Sequence, residues 1–254
     1  MGLIVCSKQV KSVLSPTGIP GYDYCLNPYT GCSHACRYCY ATFMGRYSGH
    51  SEPWGSFVDI KSNAPEVLKR QLVRAREGSI FISSVTDPYQ YIEADYKITR
   101  RCLELLAAHR FPVGILTKSP LVLRDLDLIG RMENIGVGIT ITTDDDGIRE
   151  AFEPGAPPIQ ERVKALKRLH RSGIRTYAFI GPVLPLHPDE LLRSIRPYVH
   201  HVFIDRMNYA SKTTALYRQM GLEQWLSGDF LEETLRSLRE GFSPEQVTVL
   251  AGTW

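Results

Sequence analysis

Cys32, Cys36 and Cys39 stand in C-x-x-x-C-x-x-C spacing inside NPYTGCSHACRYCYATFMGRY, residues 27–47, and make up half of the six cysteines of the chain. Three chemistries compete for them. Positions i, i+4 and i+7 share one face of a helix, and cysteine is readily buried. Against a plain core stripe stand Gly31 just before the set and polar Ser33, His34 and Arg37 within it. Zinc needs four ligands, usually from paired knuckles. A fourth would have to be His34, His50 or Cys25, none at a standard spacing, and no second knuckle follows. The third reading is an iron–sulfur cluster, for which thiolates are the natural ligands. Three cysteines on a four-iron cube leave one iron without a protein ligand, and an open position on a metal is where substrate chemistry takes place. A straight helix would spread the first and last Cα about 10 Å along its axis. A loop curled around the cluster suits a compact group better.

The elements that must position this loop follow in βα order. The runs 79–86, 112–117, 135–142, 174–181 and 201–205 are apolar, as strands of a helix-covered parallel sheet require. Helical patterns lie between them. Asn63 with Pro65 opens one that ends near Gly78, and Ser119-Pro120 opens another. Ile159, Val163, Leu166 and Leu169 form a stripe ending at Gly173, and Asp189-Glu190 start a helix that Pro197 closes. Ser243-Pro244-Glu245-Gln246 has the form of a capping box. The pattern predicts an α/β fold, a partial (β/α)6 TIM-type barrel with parallel strands. The cluster loop would follow the first strand, and functional residues would lie at the carboxyl ends of the strands. Residues 1–22 read as an N-terminal extension, 23–210 as the barrel and 211–254 as a helical C-terminal appendage.

The 254 residues, 43% of them hydrophobic, are enough for a full core, and the net charge of +3 alone predicts no nucleic-acid binding. The first apolar run is too short for a signal peptide, and no stretch approaches the ~20 residues of a membrane span. A cytoplasmic protein is the expectation.

The cysteine spacing, with aromatic Tyr38 before Cys39, resembles the signature of the radical S-adenosylmethionine (SAM) superfamily. The resemblance extends over NPYTGCSHACRYCYA, VTDPYQYIE, TKSPLVLRDLDLI, ITTDDDGIREAFEPGAP and GPVLP, which look like the spore-photoproduct-lyase-like branch. The C-terminal fifty or so residues match less distinctively. It implies that Cys32, Cys36 and Cys39 hold a 4Fe–4S cluster. The open iron would chelate the methionine amino and carboxylate groups of SAM. One electron, from a ferredoxin- or flavodoxin-type donor, would then release methionine and a 5′-deoxyadenosyl radical that abstracts hydrogen from a substrate. It further implies that Tyr38 and the backbone around Tyr40 lie along the adenine, and that Ser84 and Thr86 receive the methionine ammonium. Lys118 would pair with its carboxylate, and Thr140 or Thr142 would reach the ribose.

Other residues carry less. Asp144-Asp145-Asp146 lacks the spacing of a calcium loop and reads as a solvated loop or helix cap. Asp87 reads as a pocket residue or a turn residue beside Pro88, and Asp205, Arg206 and Asn208 as substrate-facing. The lyase's hydrogen-donating cysteine near the end of its second strand has no counterpart among Ser83, Ser84, Val85 and Thr86. Tyr89, Tyr91 and Tyr209 are alternative donors that the sequence does not place. The substrate is therefore open, with nucleic acid as one option. Two other readings stay in view: a lyase-like or nucleic-acid-modifying enzyme, and a non-catalytic iron–sulfur or zinc protein.

Overall fold

The protein is described from a computed structural model covering residues 2–250. Its strands are β1 (Ile4–Lys8), β2 (Leu14–Pro16), β3 (Tyr24–Leu26), β4 (Tyr29–Thr30), β5 (Phe57–Lys61), β6 (Ile80–Ile82), β7 (Val113–Thr117), β8 (Ile135–Thr140), β9 (Arg175–Ile180), β10 (His201–Ile204) and β11 (Val247–Val249). One sheet runs β11-β10-β9-β8-β7-β6-β3-β2. Every pairing from β3 to β11 is parallel, and β2 alone runs antiparallel to its neighbour. The end strands do not pair with each other, so the barrel is open. A smaller sheet, β1-β5-β4, shares no strand pairing with it but packs into the same core through Tyr29, Val58 and Ile60.

The parallel strands are buried as the apolar runs require; β6 is buried at every position. Two close approaches shape the inside of the sheet. A Cβ on Gly138 of β8 would sit 2.1 Å from the Tyr177 ring, and one on Gly114 of β7 2.0 Å from the Tyr22 hydroxyl. The Tyr177 hydroxyl donates to the Ile115 carbonyl at 2.7 Å. Small residues on two strands thus make room for tyrosines that fill the barrel in place of a pore.

The helix Ile159–Arg171 buries Ile159, Leu166 and Leu169 as its stripe predicts. Elsewhere local chemistry redraws the expected boundaries. The second barrel strand, β6, stops at Ile82 rather than reaching Thr86, because Ser83 adopts a left-handed φ of 67°. Asn27 Oδ1 takes the N–H groups of Ser84 and Val85, which replaces the sheet ladder there. Asn63 does not cap the helix Ala64–Leu72; its side-chain amide pairs with both backbone groups of Val10. Ser119 does cap, accepting from Leu121 N–H.

The ends of the chain join the sheets. Residues 1–22 supply β1 and β2; residue 1 lies outside the described part. Beyond residue 210 the chain is helical over Thr214–Gln219 and Gly228–Glu240, then adds β11 beside β10, with Val202 opposite Val247. Ser243–Gln246 is therefore no helix cap but a turn feeding that strand: the Ser243 hydroxyl donates to the side chains of Glu245 and Gln246. The last residues of the expected appendage, 251–254, lie outside the described part.

Candidate active site

Because the strands are parallel, Asn27, Ser83, Lys118, Gly181 and Asp205 all follow strand ends on one rim. The cysteine loop rises at this rim after β4 and curls rather than forming a helix. Gly31 turns it at a φ of +86°, against the Phe57 carbonyl, from which a Cβ would be only 2.4 Å away. Ala35 takes a φ of 54° and packs on Gly55, where a Cβ would lie 2.3 Å from its own. The loop then leans on residues 152–155: Arg37 N–H donates to the Phe152 carbonyl at 2.8 Å, and Gly155 N–H to the His34 carbonyl at 3.0 Å.

All three thiols are free, and Cys32 is buried. Burial pushes the Cys32 thiol well up, with the charges of Asp87, Cys36 and Cys39 adding to it. Burial also pushes Cys36 up to about 12, with Lys118 opposing, and raises Cys39. Such thiols become thiolates only when a metal compensates their charge. The three sulfurs do not all approach within 4.8 Å of one another. Tetrahedral zinc with 2.3 Å bonds would draw them closer than that. As they stand, the three sulfurs are not gathered around one tetrahedral ion.

Beside the loop lies a buried ionic group built on Glu153. Its carboxylate faces Arg162 at 2.5 Å and Lys118 at 3.7 Å. It also accepts from the hydroxyls of Tyr38 and of Thr142, the latter at 3.0 Å. Burial pushes the Glu153 carboxyl up, but Arg162, Lys118 and the Tyr38 hydrogen bond outweigh it and hold it at about 2. Burial pulls Lys118 down, yet Glu153 and Cys36 outweigh it and keep it raised. At 3.7 Å from Glu153, an ion-pair distance, and with no hydrogen bond among the described residues, the Lys118 ammonium keeps donors for a ligand. It also stands 5.7 Å from the centroid of the Tyr38 ring.

The remaining sequence-selected residues divide by task. Thr86 is committed to the loop: its hydroxyl donates to the Gly31 carbonyl at 2.5 Å and accepts from Gln90 at 2.9 Å. Ser84 accepts from Cys25 at 3.2 Å, and its carbonyl takes the Tyr40 hydroxyl. Cys25 of β3 thus brings a thiol beside the end of β6, which itself lacks one. Thr140 is buried at the end of β8, and its carbonyl accepts from Arg162 at 3.3 Å. Thr142 lies beyond the strand and is occupied by Glu153. The structure therefore brings Tyr38, Lys118 and Thr142 together on one carboxylate and ties Tyr40, Ser84 and Thr86 to the other flank of the loop. Asp205 is buried, with Oδ1 unpaired and Oδ2 accepting from Asn208; Arg206 pairs with Glu232, away from it. Of the aspartate run, Asp145 caps the helix Asp146–Phe152.

Four positioning residues were not singled out for these roles from the sequence. Gln90 is fully buried and holds Ser33 N–H at 2.8 Å. Asp87 accepts from the Thr117 hydroxyl at 2.6 Å and from Lys118 N–H at 2.8 Å, which sets the start of the lysine's path. Glu153 and Arg162 complete the set. Three of them, Asp87, Gln90 and Glu153, sit in the quoted segments VTDPYQYIE and ITTDDDGIREAFEPGAP as polar residues in or next to turns.

The sequence model of the Radical SAM superfamily matches residues 26–197. The uncharacterized protein MJ0683 of Methanocaldococcus jannaschii is 38% identical over 202 residues, which cover 79% of this chain and 76% of that protein. The uncharacterized protein Rv2578c of Mycobacterium tuberculosis is 32% identical over 206 residues, covering 76% of this chain but 60% of that protein. The fold is similar to spore photoproduct lyase solved with bound AdoMet and dinucleoside spore photoproduct. The TM-score is 0.65 at 15% identity, over 97% of this chain and 81% of that one. No helix among the described residues is long and apolar enough to cross a membrane.

Proposed function

Because the chain belongs to the radical SAM superfamily, we propose that it is an enzyme that holds a 4Fe–4S cluster on Cys32, Cys36 and Cys39 and cleaves SAM reductively. The observation that carries this reading is the pairing of three unbridged thiols, one buried and two half-buried, with a half-buried lysine at the same barrel rim. When bound, the cluster supplies one electron to the sulfonium of SAM and so releases methionine and a 5′-deoxyadenosyl radical.

The chain's own residues bind and orient. Lys118 presents its ammonium to the methionine carboxylate by a charge-assisted contact, held in place by Glu153 and by Asp87 under its backbone. Tyr38 and Tyr40 flank the loop where the adenine lies, and their hydroxyls are anchored so that the rings cannot swing. Asp205 offers an unpaired carboxylate oxygen at the end of β10 to whatever occupies the space before the radical. A ferredoxin- or flavodoxin-type protein serves as electron donor. The substrate class is not assigned; nucleic acid is one option, since spore photoproduct lyase, the similar fold, was solved with a dinucleoside lesion.

Anaerobic reconstitution with iron and sulfide is expected to load about four irons per chain. Addition of SAM and dithionite should then yield 5′-deoxyadenosine. Single Cys→Ala changes at the three positions should abolish both, whereas Lys118→Met should retain iron and raise the SAM concentration needed. A fully iron-loaded protein that forms no more 5′-deoxyadenosine than the cluster-free control would sink the proposal.

A further inference from the structure

We propose that Cys6, His50 and Asp59 form a second metal site, distinct from the cluster loop, that takes zinc. The β1–β5 register sets Cys6 directly opposite Asp59. His50, from the segment that leaves the cluster loop, reaches the same place: its Nε2 lies 2.9 Å from Asp59 Oδ1. One ligand atom from each residue, the thiol, an imidazole nitrogen and a carboxylate oxygen, lies within 4.8 Å of the others. Among the described residues no other group of three does so. Bonds of about 2.0–2.3 Å to tetrahedral zinc require ligand atoms roughly 3.3–3.8 Å apart, so closure needs shifts of about 1 Å.

The surroundings of His50 point to a cation. Its Nδ1 lies 3.2 Å from Glu52 Oε2, so the ring stands between two carboxylates. A neutral imidazole carries one N–H and can satisfy only one of them. With Nδ1–H donating to Glu52, the Nε2 lone pair faces Asp59, and an ion between them removes the conflict. A ligating histidine whose other nitrogen donates to a carboxylate is the usual arrangement around protein-bound metals. Lys8 Nζ holds Asp59 Oδ2 at 2.7 Å and donates to the Ser48 carbonyl at 2.6 Å, which leaves Oδ1 as the ligand. The Cys6 thiolate, Asp59 and Glu52 against the Lys8 ammonium leave two negative charges, the complement of a divalent ion. A mixed sulfur, nitrogen and oxygen set suits zinc and disfavours magnesium and calcium.

The site bears on the catalytic loop through one side chain. The His50 ring stacks on Phe57 with centroids 4.2 Å apart and planes at 18°. Phe57 in turn closes over Gly31, where the cluster loop begins. An ion fixing His50 braces the wall on which that loop rests.

The test uses the whole, cluster-loaded chain, equilibrated anaerobically with zinc sulfate and desalted. Zinc and iron per chain are measured, together with the zinc-edge absorption fine structure. The expected result is one retained zinc with a single sulfur and otherwise nitrogen or oxygen neighbours. Cys6→Ser and His50→Gln should each lower zinc retention by roughly tenfold or more at unchanged iron, and Glu52→Gln should weaken it by about tenfold. Iron content and circular dichroism establish that each variant is folded, and the wild-type measurement stands without any variant. Failure to retain zinc, as for a doubly protonated His50, overturns the proposal. So does zinc indifferent to both ligand changes, or zinc surrounded by three sulfurs, which would place it on Cys32, Cys36 and Cys39. None of these readouts involves SAM cleavage, so this inference and the proposed activity fail separately.

Discussion

Replacing Glu153 by alanine is expected to cost about 3–5 kcal/mol of stability, because it strands the fully buried Arg162, and with it the half-buried Lys118, without their counter-charge. At 2–4 °C per kcal/mol for a chain of this size, the melting temperature should fall by roughly 6–20 °C. The same carboxylate predicts an acid limb. Its folded pKa is depressed from 4.5 to about 2 by Arg162, Lys118 and the Tyr38 hydrogen bond, against the opposing effect of burial. A depressed carboxylate stabilises the fold above its unfolded pKa and loses that contribution as pH falls toward the folded value. At about 1.4 kcal/mol per pH unit, the contribution is about 3 kcal/mol, full near neutrality and lost between about pH 4.5 and pH 2. Urea unfolding of the wild type and of Glu153→Gln over this range checks the sign: the wild type should lose stability more steeply. The double variant Glu153→Leu, Arg162→Met should recover the part of the loss that comes from Arg162, since a buried pair replaced by apolar groups of similar size is often nearly neutral, while Lys118 stays without its partner. A Glu153→Ala protein within about 1 kcal/mol of the wild type would mean that water already reaches this group.

Glu153 also illustrates what the sequence conveyed and what it withheld. The spacing of Cys32, Cys36 and Cys39 is local, so a curled loop holding three thiols was legible. The apolar runs marked β6 to β10, because strands buried on both faces leave an unmistakable composition. Boundaries were less legible where a side chain replaced a ladder bond, as Asn27 does after Ile82. Hydroxyl residues at strand ends marked the right neighbourhood, but residue type does not say to what a hydroxyl is committed. Thr86 is spent on Gly31 and Thr142 on Glu153, partners 55 and 11 residues away in the chain. Gln90 and Arg162 went unselected because their partners, Ser33 and Glu153, are brought to them only by tertiary packing. The strand β11 was hidden for a related reason. Three residues, half-exposed and preceded by a proline turn, carry too little alternation to announce a strand, and only the open edge of β10 makes them one.

The smallest substitution with a large functional effect should be Gly155→Ala. A Cβ at this position would stand 2.1 Å from the Ser33 carbonyl oxygen and 3.1 Å from the His34 backbone. Both neighbours are main chain of the cluster loop, so no side chain can rotate away to relieve the contact. Either residues 152–155 retreat, breaking the Gly155 to His34 hydrogen bond at 3.0 Å, or the loop moves outward by about 1 Å. The first route costs about 1–3 kcal/mol, as overpacking does. The second shifts Cys32 and Cys36 relative to Lys118, and a misplacement of ~1 Å is enough to cost about a hundredfold in rate. Gly155→Ala should therefore stay folded, retain less iron and form 5′-deoxyadenosine roughly a hundredfold more slowly. The control is Gly228→Ala, at the start of the helix Gly228–Glu240, where a Cβ meets nothing within 4 Å and no effect is expected. Anaerobic iron analysis, melting curves and single-turnover SAM cleavage on the three proteins separate a displaced loop from a damaged fold. If Gly155→Ala matches the wild type in iron content and cleavage rate, the 152–155 segment does not set the position of the cysteines, and Gln90 with Thr86 must hold the loop without it.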